Sequence, residues 1–261
     1  MIRIGPVEKK VYELRADHPV VIPQIDPSSL ELDKVKSLLK EIKAMGIDVV
    51  AMGGSIVDRD SCNEVIDVAV KDFDLSVITY LTQTDLASLN NYPGKTAVYW
   101  MSVLNSENMF YLRDVLVMSS VMLKKKGSEA IPTAYVFDDR GPLKTATWLS
   151  RATHVPREKP TISLSLAVHA QNCGFRFYIM AGGSGAEIPP PESHVALLSK
   201  ETDLFIMPTS GIKNVSHAED MFKANADAIH IGNLLEQKDG IDHLSQIVKA
   251  SKKYPGKDFL P

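Results

Sequence analysis

Short apolar runs alternate with segments of helical periodicity almost from one end of this chain to the other, and no other feature constrains its fold as strongly. The runs at 20–26 (VVIPQID), 48–54 (DVVAMGG), 75–81 (LSVITYL), 96–104 (TAVYWMSVL), 130–137 (AIPTAYVF), 175–180 (FRFYIM), 203–208 (DLFIMP) and 227–232 (DAIHIG) read as buried strands. Over 30–46, Leu32, Val35, Leu38, Leu39 and Ile42 recur at helical spacing. Further helices fit 64–70, 107–124, 144–152, 162–173 and 239–253, and two more start at Glu192 and Ser216. Only 82–95, TQTDLASLNNYPGK, is too rich in turn residues for a complete helix. Eight strands with crossover helices in 261 residues predict one α/β domain over 1–261. Its form is a (β/α)8 TIM barrel, modified, with the third helix missing or replaced by an irregular segment. A doubly wound open sheet is the alternative.

A formal net charge of −3 offers no basic field, so nucleic acid is not an expected partner. The stretch MIRIGPVEKKVYELRADHP is too charged for a signal peptide, and no apolar segment approaches the roughly 20 residues that span a bilayer. A cytoplasmic protein without a transmembrane segment is expected. Cys62 and Cys173 match no metal spacing and read as reduced thiols, Cys173 as a core residue.

In a barrel the active site lies at the C-terminal ends of the strands. That filter leaves Asp26, Gly53-Gly54-Ser55, Ser102 to Asn105, the 182–186 loop, Ser210-Gly211 and Gly232-Asn233. The last three follow the sixth, seventh and eighth strands, each with glycine and each ahead of a helix. Loops at these places build phosphate sites from backbone N–H groups, which approach an anion only where no Cβ intervenes. Across the mouth, Asp26 and Ser55 form an oxygen pair suited to Mg²⁺, an ion that keeps waters and shares phosphate oxygens. Two facing anion sites indicate transfer between two phosphorylated substrates. Trp100, Met101 and Val103 supply apolar lining, and Tyr178 packs against either ligand or core. No Ser/His/Asp or Cys/His arrangement is evident, and the seven histidines form no H-x-x-H or H-E-x-x-H pair.

In chain order, GGS at 53–55, MSVLNS at 101–106, EAIPTAYV at 129–136, YIMAGGSGA at 178–186, GIK at 211–213 and IGNLLE at 231–236 resemble the geranylgeranylglyceryl phosphate synthase family, relatives of the bacterial heptaprenylglyceryl phosphate synthases. The resemblance implies a TIM barrel without its third helix and an Mg²⁺-dependent prenyltransferase. Such an enzyme joins geranylgeranyl diphosphate to the 3-hydroxyl of sn-glycerol 1-phosphate, forming the first ether bond of archaeal membrane phospholipids. By position it assigns Asp26 and Ser55 to the metal. To the glycerol phosphate it assigns Tyr178, Ile179, Met180, Ala181, Gly182, Gly183, Ser184, Ser210, Gly211, Gly232 and Asn233. A hydrophobic trough would take the polyprenyl tail, with Trp100 or Met101 limiting its length, and the lipid product implies transient contact with a membrane surface.

The chain also departs from the family pattern. Y-L-E-A-G-S-G-A becomes Tyr178 to Ala186 with one extra residue, and Met180 stands where the family has a Glu that serves the glycerol hydroxyls. G-G-G-I-R becomes Thr209-Ser210-Gly211-Ile212-Lys213, and the lysine of D-P-x-K becomes Ser29. The catalytic base is therefore unassigned: diphosphate or water takes the proton, or Glu187 acts from a re-aimed loop, or a degenerate family member has altered activity. A phosphate-binding barrel isomerase is a further alternative, which would need a paired acid and base where only Asp26 stands out. The helix over 107–124, apolar around its circumference in DVLVMSSVML, is expected to join two copies in a homodimer.

Overall fold

The apolar runs become β1 (Val20–Ile25), β2 (Val49–Met52), β3 (Ser76–Tyr80), β4 (Thr96–Val103), β5 (Glu129–Phe137), β6 (Phe177–Ala181), β7 (Phe205–Thr209) and β8 (Ala228–Ile231). All pair in parallel and in chain order, and the ring closes where Val20 meets Ala228 and Pro23 meets Ile231. This is the TIM barrel expected from the alternation, seen in a computed structural model that describes residues 4–29, 31–138, 144–183 and 185–259.

Around the barrel run α2 (Leu32–Ala44), α3 (Arg59–Lys71), α4 (Val115–Lys126), α5 (Thr145–Ser150), α6 (Pro160–Asn172), α7 (Glu192–Glu201), α8 (Val215–Lys223) and α9 (Gly240–Ser251). Between β3 and β4 there is only a 3₁₀ turn at Asp85–Ser88, so the third helix is replaced as expected. The α3 helix starts earlier than its apolar periodicity indicates, because the Asp58 carboxylate caps it by accepting from the Ser61 amide at 2.9 Å. The predicted helix over 107–124 is entered through a π-helical turn at Phe110–Asp114. Cys173 is exposed at the end of α6, not in the core, while Cys62 is buried. Among the described residues no helix is long and apolar enough to cross a membrane.

One further helix was not anticipated. The helix α1 (Pro6–Asp17) lies beneath the barrel, with Val7, Val11 and Tyr12 buried against its N-terminal end. Phe259 stacks on Tyr12 with ring centres 5.4 Å apart. Two carboxylates pin this helix. Glu129 at the start of β5 accepts from the Val7 and Glu8 amides at 3.0 and 2.7 Å, replacing the missing N-cap side chain. Buried Glu8 in turn takes the Arg176 guanidinium, with Nη2 to Oε2 at 2.7 Å.

Strand side chains divide into two layers, as the period of two demands. Ile22, Ile78, Tyr99, Phe177, Ile179 and Met207 fill the lumen, while Val50, Val77, Tyr178, Met180 and Ile206 pack outward against the helices. Only the first set can meet a ligand entering from the mouth.

Candidate active site

A cavity of about 190 Å³ opens at the C-terminal ends of the strands. Its floor is a chain of hydrogen bonds across the lumen. The His230 imidazole on β8 sits between two tyrosines from the far side, with Nδ1 2.7 Å from the Tyr80 hydroxyl and Nε2 3.0 Å from that of Tyr99. The Tyr80 hydroxyl is also 3.4 Å from Gln24 Oε1, and Gln24 Nε2 donates to the Gly53 carbonyl at 3.3 Å. One proton arrangement satisfies every donor: Tyr99 O–H to Nε2, Nδ1–H to Tyr80, Tyr80 O–H to Gln24, Gln24 N–H to Gly53. Burial lowers the His230 pKa to about 3, so the ring is neutral near neutral pH.

The wall built by the last strands suits an anion. Ser210 and Gly211 follow one another in the left-handed region, at φ 67° and 69°, which turns successive backbone amides to one side. A side chain at Gly211 would collide with the Ile188 carbonyl, so the close approach of these loops requires glycine there. Gly185 donates its amide to Asn233 Oδ1 at 3.2 Å, which ties the loop after β6 to the loop after β8. Lys213 lines the cavity, and Lys144 Nζ lies against Gly185, so both put a cation close to these loops.

Next to it on the rim, since β1 pairs with β8, stand Asp26 and Ser55 after β1 and β2, with Glu236 from the turn after β8 beside them. Asp26 Oδ1 accepts from the Ser28 amide and hydroxyl at 3.0 and 2.6 Å. Its Oδ2 lies directly over Gly54, where any Cβ would strike it, so the second glycine of Gly53-Gly54-Ser55 makes room for the carboxylate. Ser29 Oγ donates to Glu236 Oε1 at 3.0 Å and its amide to the Asp26 backbone carbonyl at 3.2 Å, which ties the loop after β1 to the turn after β8. This is a hard-oxygen donor set, and among the described residues no three His, Cys, Asp or Glu side chains cluster into a cage. Such a set fits an ion like Mg²⁺, which needs only one or two carboxylates when phosphate and water complete its shell.

The barrel has known counterparts. A model of the PcrB family matches residues 12–251. The chain belongs to the PcrB family. The geranylgeranylglyceryl phosphate synthase of Korarchaeum cryptofilum is 28% identical over 239 residues, spanning 91% of this chain and 96% of that protein. The enzyme of the same name from Pyrococcus furiosus is 29% identical over 242 residues, spanning 92% and 94%. Among solved structures, (S)-3-O-geranylgeranylglyceryl phosphate synthase from Thermoplasma acidophilum, in complex with substrate sn-glycerol-1-phosphate, has a TM-score of 0.86 at 26% identity, covering 96% of this chain and 100% of that one. The tryptophan synthase alpha subunit of Legionella pneumophila, at 14% identity and a TM-score of 0.60, shares the fold alone.

Within this PcrB-family barrel the predicted residues sort by strand parity. Asp26, Ser55, Ser210, Gly211, Gly232 and Asn233 line the cavity together. The β6 assignments fare differently. Tyr178 and Met180 point outward into the layer beneath the helices, and the buried Tyr178 hydroxyl has no partner among the described residues. Ile179 and Ala181 face the lumen below the cavity, Gly182 and Gly183 are buried in the turn, and Ser184 lies outside the described residues. Met180 is therefore not the place where a carboxylate would meet substrate. The extra residue in the glycine loop allows either register, and aligning GSGA instead puts Ala181, an inward position, in that role. Glu187 is exposed and does not line the cavity. Trp100 packs outward, whereas Met101 and Val103 line the apolar wall with Tyr111, Phe137 and Leu149.

The LNS segment holds loops. Asn105 Nδ2 donates to the Phe137 and Thr153 carbonyls at 2.9 and 2.8 Å, and Ser106 Oγ donates to the Ser150 carbonyl at 2.5 Å. The structure does bring one Ser, His and Asp together, at Ser163, His194 and Asp138. All three are fully buried, and hydroxyl and carboxylate crowd the same Nδ1 at 2.9 Å while Nε2 meets the Arg157 carbonyl. That geometry staples β5, α6 and α7 and cannot relay a proton from serine. Gln24, Tyr80, Tyr99 and His230 escaped the sequence reading because they lie within strands. Their signal was a single polar residue of inward parity in an apolar run, as in DAIHIG.

Proposed function

We propose that this chain is a prenyltransferase that joins geranylgeranyl diphosphate to the 3-hydroxyl of sn-glycerol 1-phosphate, the first ether bond of archaeal membrane phospholipids. The observation that carries this reading is one cavity lined both by the Ser210-Gly211 turn with Lys213 and by the oxygen donors Asp26 and Ser55. Family membership and the names of the relatives agree with it.

In this reading the cradle at Ser210-Gly211 takes the glycerol phosphate, with Lys213 in the cavity and Lys144 beside Gly185 supplying the countercharge. The prenyl tail lies along Met101, Val103, Tyr111, Phe137 and Leu149, which keeps water from the reacting carbon. Asp26 and Ser55 would hold Mg²⁺, which when bound offsets the charge of the departing diphosphate. The C1–O bond of the donor breaks as the glycerol oxygen bonds to C1, and fixing both partners supplies much of the rate. The hydroxyl proton leaves with diphosphate or water. Asp26 and Glu236 are the carboxylates lining the cavity among the described residues. His230 offers an isomerase no free ring nitrogen for general-base work, since tyrosine hydroxyls occupy both.

The test is transfer of radiolabelled geranylgeranyl diphosphate by purified protein. Ether product from sn-glycerol 1-phosphate with Mg²⁺, lost on chelation and reduced at least tenfold in Asp26→Ala, is expected. No product, or turnover of a phosphosugar without a prenyl donor, would overturn the reading.

A further inference from the structure

The strand β6 offers no polar side chain to a bound polyol, since only Phe177, Ile179 and Ala181 face the lumen. Polar groups do face it from β1, β3 and β8. Gln24, Tyr80 and His230 all line the cavity, and Tyr99 supports them from below. Both nitrogens of His230 are occupied by tyrosine hydroxyls. The Tyr80 oxygen accepts Nδ1–H and gives its own proton to Gln24, which leaves one lone pair open. The Gln24 carbonyl keeps another. These are two neutral acceptors, held side by side on the floor. The sheet register pairs Thr209 with His230, so the phosphate cradle begins one residue above the floor. A three-carbon phosphate ester held at Ser210-Gly211 can therefore point its far end down towards the floor, within the same cavity.

We propose that Tyr80 and Gln24 accept hydrogen bonds from the hydroxyls of sn-glycerol 1-phosphate, and that His230 is the positioning residue that fixes the Tyr80 hydroxyl. The proposal rests on the function given above. It makes the floor a reader of alcohol protons that needs no carboxylate. Tyr80 holds the nucleophile in place before reaction, and as the ether bond forms the hydroxyl proton passes to the departing diphosphate or to water.

Two ligands separate hydroxyl reading from phosphate binding: sn-glycerol 1-phosphate, and propyl phosphate, which has the same phosphate and carbon count without hydroxyls. Titration calorimetry of both is made on the unmodified protein and on folded Tyr80→Phe, His230→Leu and His230→Gln. The unmodified protein should prefer sn-glycerol 1-phosphate. Tyr80→Phe and His230→Leu should cut that preference by about 5- to 10-fold, the worth of one neutral hydrogen bond, with propyl phosphate affinity unchanged. His230→Gln, whose amide can donate and accept as the neutral ring does, should keep most of it; if His230→Leu fails to fold, Tyr80→Phe and His230→Gln decide. An unchanged preference in Tyr80→Phe overturns the proposal. So does a parallel loss for both ligands, which would leave Tyr80 a packing residue only. Equal binding of the two ligands by the unmodified protein also overturns it, and prenyl transfer by the same preparation then shows whether the enzymatic reading stands without it.

Discussion

Burial lowers the pKa of His230 to about 3, against 6.5 for an unburied imidazole, so between these values the unfolded chain binds a proton that the folded chain refuses. The contribution is complete above pH 6.5 and is lost as pH falls towards 3, at up to about 1.4 kcal/mol per pH unit. Urea unfolding at pH 6.5 and 4.5 should therefore cost the unmodified protein roughly 2–3 kcal/mol more than His230→Gln. Equal losses would contradict the assignment of a neutral, buried ring. A second residue, Met180, separates sequence register from strand parity. Because its side chain lies in the outer apolar layer, Met180→Glu should bury an unpaired carboxylate and lower stability by on the order of 3–5 kcal/mol in denaturant unfolding, without creating a substrate contact. At this scale the strand-end residues Asp26, Ser55, Ser210 and Gly211 were legible, since the barrel rule says where to look. The floor was not. Gln24, Tyr80 and His230 are far apart in sequence and meet only through closure of the ring.

Among the elements, the strands were legible to within a few residues because each is buried on both faces and so reads as a continuous apolar run. The replaced third helix was legible from its turn residues. The helix α1 was not, because only Val7, Val11 and Tyr12 of its apolar residues are buried, with Leu14 partly so, and charges fill most of the rest. Its anchor makes a clear prediction. Arg176→Met leaves Glu8, wholly buried, without its guanidinium, and should cost about 3–5 kcal/mol and lower the melting temperature by roughly 10 °C. A melting temperature within a degree or two of the unmodified protein would show that α1 does not depend on the pair. The helix α4 carries the opposite feature, an outer face on which Val117, Met118 and Val121 are each more than 60% exposed. That face is what the homodimer expected from the sequence would cover.

For the molecule as a whole, light scattering should give twice the chain mass of 28.7 kDa, and Val121→Glu should halve it by placing a charge in the proposed interface. A monomer at micromolar concentration would refute the dimer and leave the barrel chemistry untouched. The central claim is the orientation of the two substrates across the mouth, amides for glycerol phosphate and Asp26 for diphosphate. Fold likeness cannot supply that claim, since barrels with unrelated activities share this architecture. A crystal structure with sn-glycerol 1-phosphate tests it most directly. The account predicts phosphate density against the Ser210 and Gly211 amides with Lys144 beside it, and the glycerol carbons directed down towards Tyr80. Phosphate beside Asp26 and Ser55, with the cradle left to water, would contradict it.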